Sequence, residues 1–195
     1  MCNSYSKLSC CLSTTADQIQ GKALYQLHRL TCNKPMSSGC KKFFQQDACL
    51  YECSPHLGQW IVEDNVGETL QNVPLCQSEC EKWFTACIND FTCTRDWKTS
   101  HANSHFTCTA KDKCQTFRDK FQSAEHFCNT IWGNSYVVVP DDQMCVKIDG
   151  SIEHETRNNA HGNKTAIVAE EKNGSRRKTA ALFAVLIPIV ASNFV

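Results

Sequence analysis

The sequence has no excess of either charge: twenty Lys and Arg balance twenty Asp and Glu. Without a net field to steer it toward phosphate backbones or acidic lipid, nucleic acid is not an expected partner. It also has no C-x2-C pair, the knuckle from which structural zinc sites are usually built, so the cysteines do not read as metal ligands and no metal is expected. No apolar run is long enough to span a bilayer. The most apolar stretch, Ala180 to Val195, has sixteen residues, which as a helix reach roughly 24 Å against a hydrocarbon core of about 30 Å. Finally, Met1, Cys2, Asn3 and Ser4 lead straight into cysteine-rich sequence, without the basic start and apolar run of a secretory leader.

What is present in quantity is cysteine, fifteen in 195 residues. Such density is a liability in a reducing cytosol and a set of staples in an oxidising compartment, so the chain reads as a disulfide-rich extracellular protein. That reading requires a leader, and the expectation is that the sequence begins inside a longer chain; the odd cysteine count agrees. Cys49 and Cys53, and Cys76 and Cys80, are four apart, which on a helix sets both sulfurs on one face. The length suits one domain with tails. We place the domain at residues 1–146, a polar stalk at 147–179 and the apolar tail at 180–195.

Along the chain, Leu24, Leu27 and Leu30 point to a helix over Ala16 to Leu30. A helix is expected from Ser38 to Cys53, ended by Ser54 because a residue before proline is pushed out of the helical region. Cys76, Cys80, Trp83, Phe84 and Cys87 form a helical stripe over Leu75 to Asn89, with Pro74 at its start. Residues 90–113, bounded by polar clusters and containing Cys93 and Cys108, read as loops and short turns. A third helical region spans Lys113 to Trp132, broken near Gln122 with Ser123 capping its second part. Ser135 to Pro140 is a short β-branched strand.

The stalk has no apolar periodicity and reads as solvated chain. Arg176, Arg177 and Lys178 precede the tail and no charge follows it, which leaves a spanning helix without a cytoplasmic anchor. The small residues Asn173, Gly174 and Ser175, a short polar spacer and the apolar end fit a signal for a glycosylphosphatidylinositol anchor, with the tail removed on attachment. Asn163 and Asn173 stand in N-glycan acceptor triplets, the second overlapping the anchor site.

The run Asp47 to Trp60, DACLYECSPHLGQW, closely resembles the signature of the folate receptor and riboflavin-binding protein family. The blocks VPLCQSEC from Val73, WFTAC from Trp83, TCTRDW from Thr92 and CNTIWGNSY from Cys128 resemble later blocks of that family in the same order. The resemblance covers most of Cys2 to Cys145, and all fifteen cysteines fall on family positions. It implies an α+β domain of several helices and short strands, held by eight disulfides and binding a ligand in a cleft. Carried over by position, the pairs are Cys2 with Cys49, Cys11 with Cys53, Cys32 with Cys114, Cys40 with Cys87, Cys76 with Cys145, Cys80 with Cys128, and Cys93 with Cys108. Cys10 is left alone, its family partner lying upstream of Met1.

The same resemblance implies a pterin site. A carboxylate takes two charge-assisted hydrogen bonds from the ring while aromatic faces sandwich it. Asp47 occupies the carboxylate position, and Tyr51, one helical turn on, shares its face. Tyr25 and Trp97 fall on further aromatic positions and Ser135 on a hydrogen-bonding one. Trp60, Trp83 and Trp132 are assigned to core packing. Two departures matter. The segment from Ile61 to Asn72 carries no arginine where folate binders of the family have two, and the segment after Trp97 leaves only Lys98 and His101 as polar candidates.

The expectation is therefore a cell-surface receptor, not an enzyme, with no cofactor. It binds folate or a related pterin and carries it inward by endocytosis, held to the outer face of the plasma membrane by a lipid. Riboflavin is the alternative ligand. A gamete or cell adhesion receptor with a protein partner is the alternative from another class. The seven histidines assemble into no metal or acid-base constellation: His101 and His105 fall in a loop and His154 and His161 in the stalk.

Overall fold

The structure, a computed structural model, describes residues 2–5, 9–20, 24–64, 67–103, 105–109 and 113–153. The side chains of Tyr25, Asp64, Ile152 and Glu153 lie outside the description, as do the expected glycan and anchor positions Asn163, Asn173, Gly174 and Ser175. Among the described residues no helix is long and apolar enough to cross a membrane.

The elements run α1 (Ser13–Gln20), a 3-10 helix (Leu24–Leu30), α2 (Ser38–Cys53), β1 (Ile61–Asp64), β2 (Gly67–Leu70), β3 (Val73–Cys76), α3 (Gln77–Cys87), β4 (Phe91–Thr92), α4 (Trp97–Ala102), β5 (Gln115–Thr116), α5 (Phe117–Phe121), α6 (Ala124–Thr130), β6 (Tyr136–Val139), β7 (Cys145–Val146) and β8 (Ile152–Glu153). This is the expected α+β class. The central sheet has the order β6-β3-β7-β8, with β3 parallel to both its neighbours, and α2, α3 and α6 pack together beside it.

Helix α2 forms over the expected span for local reasons. The Ser37 hydroxyl accepts from the Cys40 N–H at 3.3 Å, and Ser37 is itself fixed by Asp90, which takes its N–H at 2.8 Å and its hydroxyl at 2.7 Å. Cys40, Phe44, Gln45, Asp47, Ala48, Cys49, Leu50 and Cys53 are buried, so the second half of the helix is enclosed on most sides, and Ser54 before Pro55 stops it in an extended conformation.

Several expectations about these elements change. The helix over Ala16 to Leu30 is two pieces: Gly21 follows α1, and the leucines at 24, 27 and 30, spaced by three, line the buried side of a 3-10 helix, where residues three apart eclipse. The helix expected from Leu75 begins at Gln77, because Val73–Cys76 pair as β3 with Tyr136–Val139. Pro74 is tolerated there: the Val73 N–H goes to the Ser135 carbonyl beside β6, and β7 pairs with β3 only at Leu75, so the missing Pro74 donor breaks no ladder. The region Lys113 to Trp132 divides into β5, α5 and α6, with Gln122 at φ 68° between the helices and Ser123 accepting from the His126 N–H at 3.1 Å to cap α6.

Seven disulfides close the domain: Cys2–Cys49, Cys11–Cys53, Cys32–Cys114, Cys40–Cys87, Cys76–Cys145, Cys80–Cys128 and Cys93–Cys108. These are the pairs that the resemblance implies, and Cys10 is free and exposed. Four of them join α2 to the N-terminal segment or to α3 or α3 to α6. With loops of 42 to 48 residues, each removes on the order of 3 to 4 kcal/mol of unfolded-state freedom in the chain-entropy account. Between these staples sits an aromatic core. Phe44 stacks on Trp97 with centroids 4.8 Å apart and meets Trp83 edge-on at 5.2 Å; Trp83 in turn meets Phe127 at 5.1 Å.

Candidate ligand-binding site

Asp47 sits on the buried side of α2, 5% exposed, with both carboxylate oxygens engaged. The Trp132 indole N–H donates to Oδ2 at 2.8 Å and the Tyr136 hydroxyl donates to Oδ1 at 2.7 Å. Among the described residues its partners are thus an indole and a phenol, with no cation. A carboxylate that loses water without gaining a counter-ion resists ionisation. Burial pushes Asp47 up to about 7, against the pull of the two hydrogen bonds. The same burial, together with the negative charge of Asp47, drives the Tyr136 hydroxyl well above its ordinary value, so it remains a donor.

The neighbours are placed by different elements. Tyr51, one turn along α2 and 47% exposed, donates its hydroxyl to the Glu68 carbonyl at 3.1 Å, which ties the β1–β2 hairpin to the helix. In that hairpin Ile61 pairs with Leu70 and Glu63 with Glu68. Thr69, buried in β2, accepts from the Lys98 ammonium at 2.8 Å. Lys98 belongs to α4, whose start is capped by Asp96 accepting from the Thr99 N–H at 2.9 Å. The Lys98 stem passes over Gly133, which has φ 65° and where a Cβ would stand 3.4 Å from the Lys98 Cδ. Gly133 is the pivot of the turn that carries Trp132 from the end of α6 to Ser135 and β6. The Ser135 hydroxyl closes this turn on the Trp132 carbonyl at 2.8 Å.

Asp47, Tyr51, Lys98 and Ser135 therefore stand on elements joined through these contacts. The Tyr25 side chain lies outside the description, and His101 is half-buried in the last turn of α4.

Two indoles stand differently from the places expected for them. Trp97, carried over as a ligand-facing aromatic, is 0% exposed, stacks on Phe44 and donates its N–H to the Thr92 hydroxyl at 3.0 Å. Both its face and its donor are spent in the core. Trp132, assigned to core packing, is half-buried and packs against the core beside Phe44 and Trp97, and it also donates to Asp47. The sequence held a signal for it: Trp132 and Tyr136 flank Ser135, a position already singled out. The hairpin β1–β2 and helix α4 were also missed, the first read as a segment without arginine and the second as loop. A cavity of about 300 Å3 lies among Ser4, Tyr5, Pro55, His56, Asp149, Gly150 and Ser151, and none of the site residues lines it.

The model of the folate receptor family matches residues 1–147. The chain belongs to the folate receptor family. It is 36% identical to human folate receptor gamma over 147 residues, 70% of this chain and 58% of that protein. To human folate receptor alpha it is 39% identical over 144 residues, 70% of this chain and 56% of the relative. To the riboflavin-binding protein of Gallus gallus it is 28% identical over 151 residues, 76% of this chain and 63% of the relative. This folate receptor family member thus spans less than two thirds of the length of each of these relatives.

Proposed function

We propose that the domain is a vitamin-binding receptor, not a catalyst, whose ligand is folate or a related pterin. The observation that carries the reading is Asp47: a buried carboxyl whose partners are N–H and O–H donors and not a cation. A 2-amino-4-oxopyrimidine edge offers two N–H donors side by side, the pattern a carboxylate accepts best. Tyr51 supplies an aromatic face at the exposed end of the same helix side, and Ser135 and Lys98 supply polar groups nearby. Riboflavin is the second reading, favoured by the similarity to riboflavin-binding protein over 76% of this chain.

The wider role rests on sequence. The domain of residues 1–146 stands on a polar stalk, 147–179, glycosylated at Asn163 or Asn173 and lipid-anchored at Asn173 to Ser175 with removal of 180–195. It displays the site at the outer cell surface and carries ligand inward by endocytosis.

The test is tryptophan fluorescence of the oxidised, secreted protein titrated with folic acid, a reduced folate, pteroic acid and riboflavin. Saturable quenching by the pterins and not by riboflavin supports the reading. Saturation by riboflavin alone replaces it with the second, and silence toward all four from a folded protein rejects both.

A further inference from the structure

The polar groups of the candidate site are engaged within the protein. Both its oxygens are taken, the Ser135 hydroxyl is turned onto the Trp132 carbonyl, the Tyr51 hydroxyl is on Glu68 and Lys98 is on Thr69. A ring ligand reaches Asp47 only if one of its two donors gives way, and the two are not equally held. Tyr136 is 4% exposed and begins β6, in register with Val73 of β3, so its backbone is held by the central sheet and its ring is enclosed. Trp132 is half-buried and lies outside any strand or helix, in a turn of four residues pivoting on Gly133 at φ 65°. It meets Phe44 and Trp97 edge-on at 6.1 Å each, against 4.8 Å for the stacked pair Phe44 and Trp97.

We propose that the Trp132 indole N–H is a displaceable latch on Asp47: it occupies the carboxylate in the free protein and swings away on the Ile131–Asn134 turn when a ligand N–H takes over Oδ2. This rests on Asp47 being the group that contacts the ligand. A ring with two adjacent N–H donors replaces the indole bond and brings a second. A flavin edge brings one imide N–H between two carbonyl oxygens, and one of those oxygens then faces the carboxylate. The latch also lowers the apparent affinity for every ligand by the fraction of molecules in which it is open.

The experiment pairs the wild-type protein with Trp132→Phe, which keeps an aromatic ring and removes the N–H. In 15N-indole spectra of the ligand-free protein, the signal absent from Trp132→Phe identifies Trp132. Microsecond-to-millisecond relaxation dispersion is expected for that signal and for no other indole, since latch opening belongs to that range. A flat profile overturns the latch whether or not a ligand is known. In stopped-flow binding of pteroic acid, Trp132→Phe is expected to associate about tenfold faster and bind about tenfold more tightly, the value of one hydrogen bond to a buried charge. Equal or weaker binding by the variant overturns the proposal. If neither protein binds pteroic acid, the pterin reading fails and the dispersion profile alone decides the latch.

Discussion

Asp47 and Trp132 stand 85 positions apart in the chain and are joined by an indole N–H donated to a carboxylate oxygen at 2.8 Å. One end is on a helix whose span is visible in the sequence; the other is in a turn that no periodicity marks. Cys40–Cys87 and Cys80–Cys128 hold the two ends in place, since they fasten α2 to α3 and α3 to α6. The staples thus position the carboxylate without touching it.

Replacing Asp47 by Asn keeps the shape and one acceptor while removing the charge and turning an N–H2 toward one of the two donors. Pterin binding is expected to weaken by about 2 to 5 kcal/mol, the usual result of truncating one side of a buried charged hydrogen bond. Calorimetric titration with pteroic acid measures it. An unchanged affinity would remove the carboxylate from the ligand site.

The ionisation of Asp47 also acts on stability. Its folded value is about 7, against 3.8 for an ordinary aspartate. Between these values the folded state holds a proton that the unfolded state has released, so the contribution of Asp47 to stability declines as pH rises through this window. Above about pH 7 the folded protein holds the charge at a cost on the order of a few kcal/mol. Asp47→Asn has no such dependence. Its melting temperature relative to wild type is therefore expected to climb from pH 5 to pH 8, and a difference that is constant over that range would contradict the raised value.

The same proton bears on binding in the opposite sense. A ligand that needs the carboxylate meets it mostly ionised at pH 7.5 and almost wholly protonated at pH 5.5, so affinity is expected to fall on the order of twentyfold between the two. Direct titrations at the two values check this, with Asp47→Asn as the pH-independent reference. If wild type and variant show the same pH profile, another group governs release.

Helix α2, with its Pro-Met-Ser-Ser start, apolar and sulfur positions at three- to five-residue steps and terminal Ser54-Pro55, was legible because every signal is local. Strand β6 was legible from its β-branched run. The elements that escaped are short and owe their form to distant partners. Helix α4 has six residues, too few for a stripe, and β1–β2 is tied down by Tyr51. Strand β3 exists because β6, sixty residues later, pairs with it. The placing of Trp97 and Trp132 has the same origin: apart from Ser135 near the second, neither indole's neighbours in sequence record that Phe44 and Thr92 enclose the first while Asp47 holds the second.

The placing of Trp97 has a direct consequence. Trp97→Phe loses the bond to the Thr92 hydroxyl and leaves a small void, so it is expected to destabilise the fold by about 1 to 3 kcal/mol. Ligand affinity should move by less than about twofold, because the indole has no free face. Denaturant unfolding and pteroic acid titration of the same variant separate the two effects. A selective loss of affinity at unchanged stability would return Trp97 to the site.

Gly150 is fixed by two constraints at once. Its φ of 87° belongs to the left-handed region that side chains avoid, and a Cβ there would overlap the Tyr5 hydroxyl and ring. Tyr5 is buried, and burial together with the charge of Asp149 pushes its hydroxyl up to about 12. It belongs to the segment that Cys2–Cys49 fastens to α2 and lines the same cavity as Gly150. Gly150→Ala must then either strain the turn that returns Lys147 to Ser151 or expel the Tyr5 ring. Either way a loss of about 2 to 4 kcal/mol is expected, combining overpacking with backbone strain. Tyr5→Ala removes the ring and most of the clash, so Gly150→Ala added to Tyr5→Ala should cost clearly less than in wild type. Equal losses in the two backgrounds, measured by denaturant unfolding, would show that backbone conformation alone fixes the glycine.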